Sequence, residues 1–108
     1  MRIGDIVTVV VDRAMGTYHP VHSDLFYPIN YGYIEGVMAA DGEEQDAYIV
    51  GVYKPLVRFT GAVIAIIRRH NDVEDKWGGA PVGALFSDEE IMEMVHFQEQ
   101  FFDSVIER

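Results

Sequence analysis

The sequence predicts one mostly β domain with a C-terminal helix packed outside it, and three features carry that prediction. Apolar stretches rich in β-branched residues recur from Ile6 to Ile67, broken by glycine and proline. An Asp41-Gly42 pair stands between two of them, where a hairpin turn belongs. From Ser87 onward the apolar residues change to helical spacing. The chain has 108 residues, 49% of them apolar, which suits a single core, so residues 1–108 are expected to fold as one unit.

The first strand is "DIVTVVVD", ending near Asp12, because Val, Ile and Thr fit a pleated surface better than a helix. "RAMGTYHPVHSDLFYP" follows with Gly16, Pro20 and Pro28 around Ser23 and Asp24, a composition of turns, and reads as a long loop. "INYGYIEGVMAA" alternates loosely, and its Gly32 and Gly36 suit a strand that bends or admits another backbone. "ADGEEQ" turns the chain and "DAYIVGVYK" resumes an extended pattern, so the pair reads as a hairpin crowned by acids. "KPLVRFTG", with Pro55 and Gly61, reads as a connection, and "GAVIAIIRR" as a central strand. "HNDVEDKWGGAPVG" reads as a second acidic loop.

In "SDEEIMEMVHFQEQFFDSVIER" a capping-box pattern joins Ser87 to Glu90, and acids gather in the first turn, where the helix dipole favours them. Ile91, Met94, Val95, Phe101, Phe102 and Val105 fall near helical spacing, with Phe97 widening the stripe. A helix over that segment is expected, with His96 packed among its apolar neighbours.

Eighteen acidic residues against eight basic give a net charge of -10, a field that repels nucleic acid and anionic membranes, so neither is expected as a partner. The same field repels a free phosphate compound, which would have to arrive with divalent cations or be received by them. The chain has no cysteine, which excludes disulfides and thiolate metal sites and fits a reducing, cytoplasmic setting. Its first apolar stretch is interrupted by Asp5 and Asp12 and is too short for a membrane span; no export signal is read in it.

Asp41, Glu43 and Asp46 run from a turn into a strand, where residues two apart share a face. Oxygen ligands of this kind suit Mg²⁺ or Mn²⁺, and the spacing is not that of an EF-hand calcium loop. Asp72, Glu74 and Asp75, followed by Lys76, form a second acidic group. Two such loops at one end of neighbouring strands can hold cations that clamp a phosphoryl group and activate a water. Spacing alone favours solvated turns, with Lys76 paired to a neighbouring acid, so the context has to decide. Tyr27, Tyr31 and Tyr33 can donate to phosphate or simply pack. His19 and His22 flank Pro20 and are read as structural or solvated. No Ser-His-Asp arrangement, cysteine nucleophile or P-loop is present to argue from.

At "YPINYGYIEG" and "DGEEQDAYIVG" the chain resembles the soluble family I inorganic pyrophosphatases, whose signature is YP-x-NYG followed by D-G-[DE]-x-x-D. The spacing of Tyr27, Tyr31, Asp41, Glu43 and Asp46 is kept, and "VIAIIRRHNDVEDKW" is similar to the family's later metal-binding loop. The resemblance implies a small closed β-barrel of OB type with helices outside it. It implies Mg²⁺-dependent hydrolysis of pyrophosphate to two phosphates. Asp41, Glu43 and Asp46 would be metal ligands, with Asp72 and either Glu74 or Asp75 completing the cage. Glu43 would help deprotonate the attacking water, and Lys76 and Tyr31 would face phosphate, Tyr31 within the catalytic group. Asp12 stands where the family has an acid near its site. Family members commonly self-associate, so a homo-oligomer is an accompanying expectation.

The chain departs from the pattern at several of these places. Glu43 replaces the usual Asp, which moves the carboxylate outward by about 1.5 Å. The family's lysine and acid after strand one and its arginine before the YP stretch have no secure counterpart in "GTYHPVHSDLF", where Arg13 and His19 are the nearest substitutes. Phe101 and Phe102 stand in place of a phosphate-gripping Tyr-Lys pair, leaving Arg68 and Arg69 as possible compensation. These losses set two competing expectations beside pyrophosphate hydrolysis: a barrel that keeps a cation site without turnover, and a hydrolase of another small phosphate compound.

Overall fold

The β-branched run after Asp5 forms β1, Ile6–Arg13, in the computed structural model, which describes residues 2–108. β2, Tyr31–Met38, and β3, Glu44–Ile49, form the expected antiparallel hairpin. β4 runs over Arg58–Arg69 and β5 over Lys76–Ala80. They are followed by α1, Asp88–Glu99, and β6, Ser104–Glu107. β1 pairs antiparallel with β2 on one side and with the first half of β4 on the other. β3 pairs parallel with β5, and β5 antiparallel with β4. The circuit β1-β2-β3-β5-β4-β1 therefore closes, giving the five-stranded OB-type barrel that the sequence resemblance implied.

Glycine is required where this barrel turns tightly. A side-chain carbon on Gly32 would sit 1.9 Å from the Val10 carbonyl oxygen, so only glycine lets β2 lie against β1 there. Gly36 has φ +79°, within the break in pairing between Tyr33 and Met38 that bends β2.

The core has two parts. Val7, Val9, Ile34, Ala47, Ile49 and Val63 fill the barrel. Ile29, Tyr48, Val50, Ile67, Ala80 and Val95 fill the space beneath α1, which buries Ile91 and Val95. Ser87 and Glu90 make both reciprocal bonds of the capping box. Among the described residues no helix is long and apolar enough to cross a membrane.

Four expectations are corrected. Arg58–Gly61 is not a connection but the start of β4, because barrel closure needs that stretch to pair with Val7–Val10. Lys76–Ala80 is strand and not loop; its two neighbours pair with it on both sides and override the weak β-propensity of Gly78-Gly79. The helix stops at Glu99, so Phe101, Phe102 and Val105 are not on its stripe. Asp103 is held in an extended turn by its N–H donating to Asn71 Oδ1 and its carbonyl accepting from His70, and β6 then pairs with the second half of β4. His96 lies on the exposed face of α1, away from the core.

Candidate active site

The Asp-Gly turn is closed by the Ala39 N–H donating to Glu43 and the Gly42 N–H donating to Ala39, while Asp41 Oδ1 accepts from the Glu43 N–H at 3.0 Å. Gly42 supplies the positive φ, +85°. This tip faces the loop between β4 and β5 across a cleft of about 250 Å³, lined by Asp41, Glu43, Asp46, Glu74, Asp75 and Lys76 among others. The two acidic groups read separately from the sequence therefore meet. The link between them is Gln45, which is buried in β3 and whose amide donates to the Asp46 and Asp75 carbonyls at 3.0 and 2.7 Å.

Lys76 is 4% exposed, and its ammonium lies 2.7 Å from Asp46 and 2.8 Å from Glu74, joining the two tips. Asp46 Oδ2 also accepts from the Tyr31 hydroxyl at 2.9 Å. Burial first, and then the Asp46 charge, push the Tyr31 phenol far above its ordinary range, so it stays protonated and acts as a donor. The Glu74 carboxyl across the cleft, followed by the Glu43 N–H, holds the Asp41 carboxyl low.

The remaining acids are engaged by arginine. Arg68 at the end of β4 pairs with Asp75 at 2.6 Å and with Glu107 of β6. Arg69, 6% exposed, reaches Asp72 at 3.0 Å and Glu99 at 2.6 Å, with its guanidinium 3.7 Å above the Phe102 ring. Glu99 in turn accepts from the Tyr48 hydroxyl at 2.5 Å and the Ser104 hydroxyl at 2.6 Å. Asp72 does not line the cleft. Its carboxyl is lowered, a little burial being outweighed by the hydrogen bonds from Arg69 and from backbone N–H groups.

Behind Asp46 and Lys76 opens a larger cavity, about 780 Å³, which both residues also line. Asp12, Arg13, Tyr27, Tyr31 and Arg69 are among the residues that line it. Asp12 is raised above the ordinary carboxylate range by burial, with Asp46 adding to that and Arg13 opposing it. The loop after β1 folds back through an isolated pairing of Tyr18 with Phe26, which brings His19 and His22 to this cavity. Tyr27 is buried, its hydroxyl donating to Gln98 at 3.3 Å. The asparagine of the NYG stretch is structural: Asn30 accepts from the Met15 and Leu56 N–H groups and donates to the Lys54 carbonyl.

Among the described residues no three carboxylate, histidine or cysteine side chains form a group ready to hold a metal ion. The donors nonetheless fit the implied Mg²⁺ in kind. Asp41, Glu43, Asp46 and Glu74 offer only oxygen to one cleft, the donor type a hard dication takes. Asp75 lines the same cleft but is paired with Arg68, and Asp72 stands outside it, paired with Arg69.

Gln45, Gln98 and Glu99 escaped the sequence reading. Each is a single polar residue with no motif around it, and only the fold shows what it touches. Arg68 and Arg69 were legible as compensating charge but not as partners of particular acids.

A closed barrel with an acidic cleft between its hairpin tip and the β4–β5 loop defines the architectural class, an OB-type barrel shared with solved inorganic pyrophosphatases. The structure is similar to an inorganic pyrophosphatase from Ehrlichia chaffeensis, with TM-score 0.72 and 14% identity over 99% of this chain and 88% of that one. It is similar to one from Neisseria gonorrhoeae, with TM-score 0.64 and 21% identity over 87% and 72% of the two chains. The Thermus thermophilus enzyme matches with TM-score 0.63 and 19% identity over 100% and 86%. No protein-family model matches the chain, and no curated protein matches its sequence. The chain therefore has the pyrophosphatase fold with a strongly divergent sequence.

Proposed function

We propose that residues 1–108 act as a divergent family I pyrophosphatase domain, hydrolysing inorganic pyrophosphate or a related small phosphate anhydride with Mg²⁺ or Mn²⁺. The observation that carries this reading is the meeting of the two acidic tips across one cleft, with Lys76 and Tyr31 on its wall. Asp41, Glu43, Asp46 and Glu74 are the residues that would hold the cation. When bound, a hard dication supplies positive charge to phosphate oxygens and makes a neighbouring water easier to deprotonate. Glu43, exposed at the hairpin tip, would take that proton. Tyr31, kept protonated by burial and by Asp46, gives its single proton to Asp46 Oδ2 and would turn that donor to phosphate once a cation takes up the Asp46 charge. Lys76 contributes a buried ammonium to the anion. The cysteine-free composition suits a cytoplasmic setting.

Phosphate release from Mg²⁺-pyrophosphate tests the reading. Wild-type protein turns over only with the metal, and Asp46→Asn lowers kcat at least about 100-fold, the scale of losing a catalytic positioning group. Absence of metal-dependent turnover refutes it. One observation favours a second reading, a cation-binding barrel without turnover: Arg68 and Arg69, the cations beside the acidic loop, are engaged by four carboxylates and are not free for phosphate. Saturable heat on titration with Mg²⁺, without phosphate release, would support that alternative.

A further inference from the structure

The cavity behind Lys76 is far larger than two joined phosphates need. Its volume of about 780 Å³ lies toward the upper end of the roughly 300–1,000 Å³ that accommodates drug-sized organic ligands. Aromatic rings are part of its lining, and Phe26 and Phe101 reach it from different parts of the chain, the loop after β1 and the turn after α1. Both are unusually exposed for phenylalanine, at 42% and 68%. Phe26 is steadied by the edge of Tyr18 at 5.3 Å, and Phe102 is covered by Arg69, whereas no ring stacks on Phe101 among the described residues.

Hydrogen-bonding groups are interleaved with these rings. His19 Nδ1 accepts from the Val21 and His22 N–H groups, both at 3.0 Å, so the proton of the neutral ring sits on Nε2 as a donor. His22, Asp24 and Gln100 add further donors and acceptors to the cavity wall.

From this arrangement we infer that the substrate is a diphosphate carrying a flat heteroaromatic group, of the nucleoside diphosphate class. Its ring lies on Phe101 and Phe26, and its phosphates face Tyr31, Lys76 and the acidic cleft. A stacked base uses the ring faces for affinity and the polar groups for its edge, whereas an aliphatic chain offers neither a flat face to stack nor edge groups to bond. The replacement of a polar group by Phe101 then becomes a gain of organic binding surface. In the reaction, water forms a bond to the terminal phosphorus as the bridging P–O bond breaks. The bridging oxygen leaves with the electron pair on the nucleoside monophosphate, and the proton lost by water passes to a cleft carboxylate.

The inference rests on the hydrolase reading above, and one experiment separates the two. kcat/KM is measured with Mg²⁺ for ADP, UDP, inorganic pyrophosphate and isopentenyl diphosphate, on wild type, Phe101→Ala and Phe26→Ala, with folding checked by thermal melting. The expected result is a nucleoside diphosphate as best substrate. Phe101→Ala then lowers its kcat/KM, relative to that of pyrophosphate, tenfold or more, the scale of losing one stacking platform. A preference for pyrophosphate or the aliphatic diphosphate, or an equal effect of Phe101→Ala on all four, overturns the inference and leaves the hydrolase reading standing. No phosphate from any of the four overturns both.

Discussion

Replacing Glu99 by Gln removes one negative charge from the most buried ionic network in the molecule. Glu99 is 2% exposed and accepts four hydrogen bonds, two from Arg69 at 3.0 and 2.6 Å and one each from Ser104 and Tyr48 at 2.6 and 2.5 Å. Gln keeps the shape but turns an NH₂ toward donors and leaves Arg69 buried with Asp72 alone. Breaking a buried ion pair costs about 3–5 kcal/mol, and the surviving Asp72 contact places this case near 3. Against a total stability of roughly 5–15 kcal/mol for a domain of this size, that is a large loss. Urea unfolding followed by Trp77 fluorescence measures it.

The pH dependence gives an independent check. Burial pushes the Glu99 carboxyl up, but hydrogen bonds from Arg69, Ser104 and Tyr48 and the Arg69 charge outweigh it, so the folded value lies below the ordinary 4.5. The stabilisation is therefore fully present above about pH 4.5 and is lost as pH falls through the lowered folded value. The gap between wild type and Glu99→Gln should be widest near pH 7 and shrink in acid. A gap under about 1 kcal/mol at pH 7, or one that stays constant down to acid unfolding, would refute the reasoning.

Two other substitutions probe the scaffold. Gly32→Ala would drive a carbon to 1.9 Å from the Val10 carbonyl and 2.9 Å from Val11 Cα, so a loss of about 3 kcal/mol or more is expected, read as a drop in Tm or as insoluble protein. Ser87→Ala removes the acceptor of the Glu90 N–H and should lower stability by about 1 kcal/mol in denaturant titration, with phosphate release unchanged because the cap lines neither cavity.

The strands that carry their own signal were legible: β1 through its run of valines, and the β2–β3 hairpin through Asp41-Gly42. β5 was not, because "KWGGA" owes its extended form to β3 and β4 on either side. β6 was hidden because Phe101, Phe102 and Val105 continue a helical spacing, while Asn71 and His70, far away in sequence, fix Asp103 just before the strand. At the candidate site the approach of the two acidic groups could be posed from residue types. Which acid meets which base could not, since Lys76, Arg68 and Arg69 choose partners through strand pairing. The sequence also presented Phe101 and Phe102 as one lost pair. Folding separates them, one covered by a guanidinium and the other left open.

Gln45 gives the cleft a property that its charges could not. The opposing loops are held at their spacing by an uncharged amide buried from solvent, clasping a main-chain oxygen on each side. Electrolyte can thin the electrostatic field over the mouth without loosening this clasp, so the jaws keep their gauge whether the surrounding solution is dilute or concentrated in salt. An ion entering between them would meet a fixed gap, with only the carboxylate rotamers left to adjust.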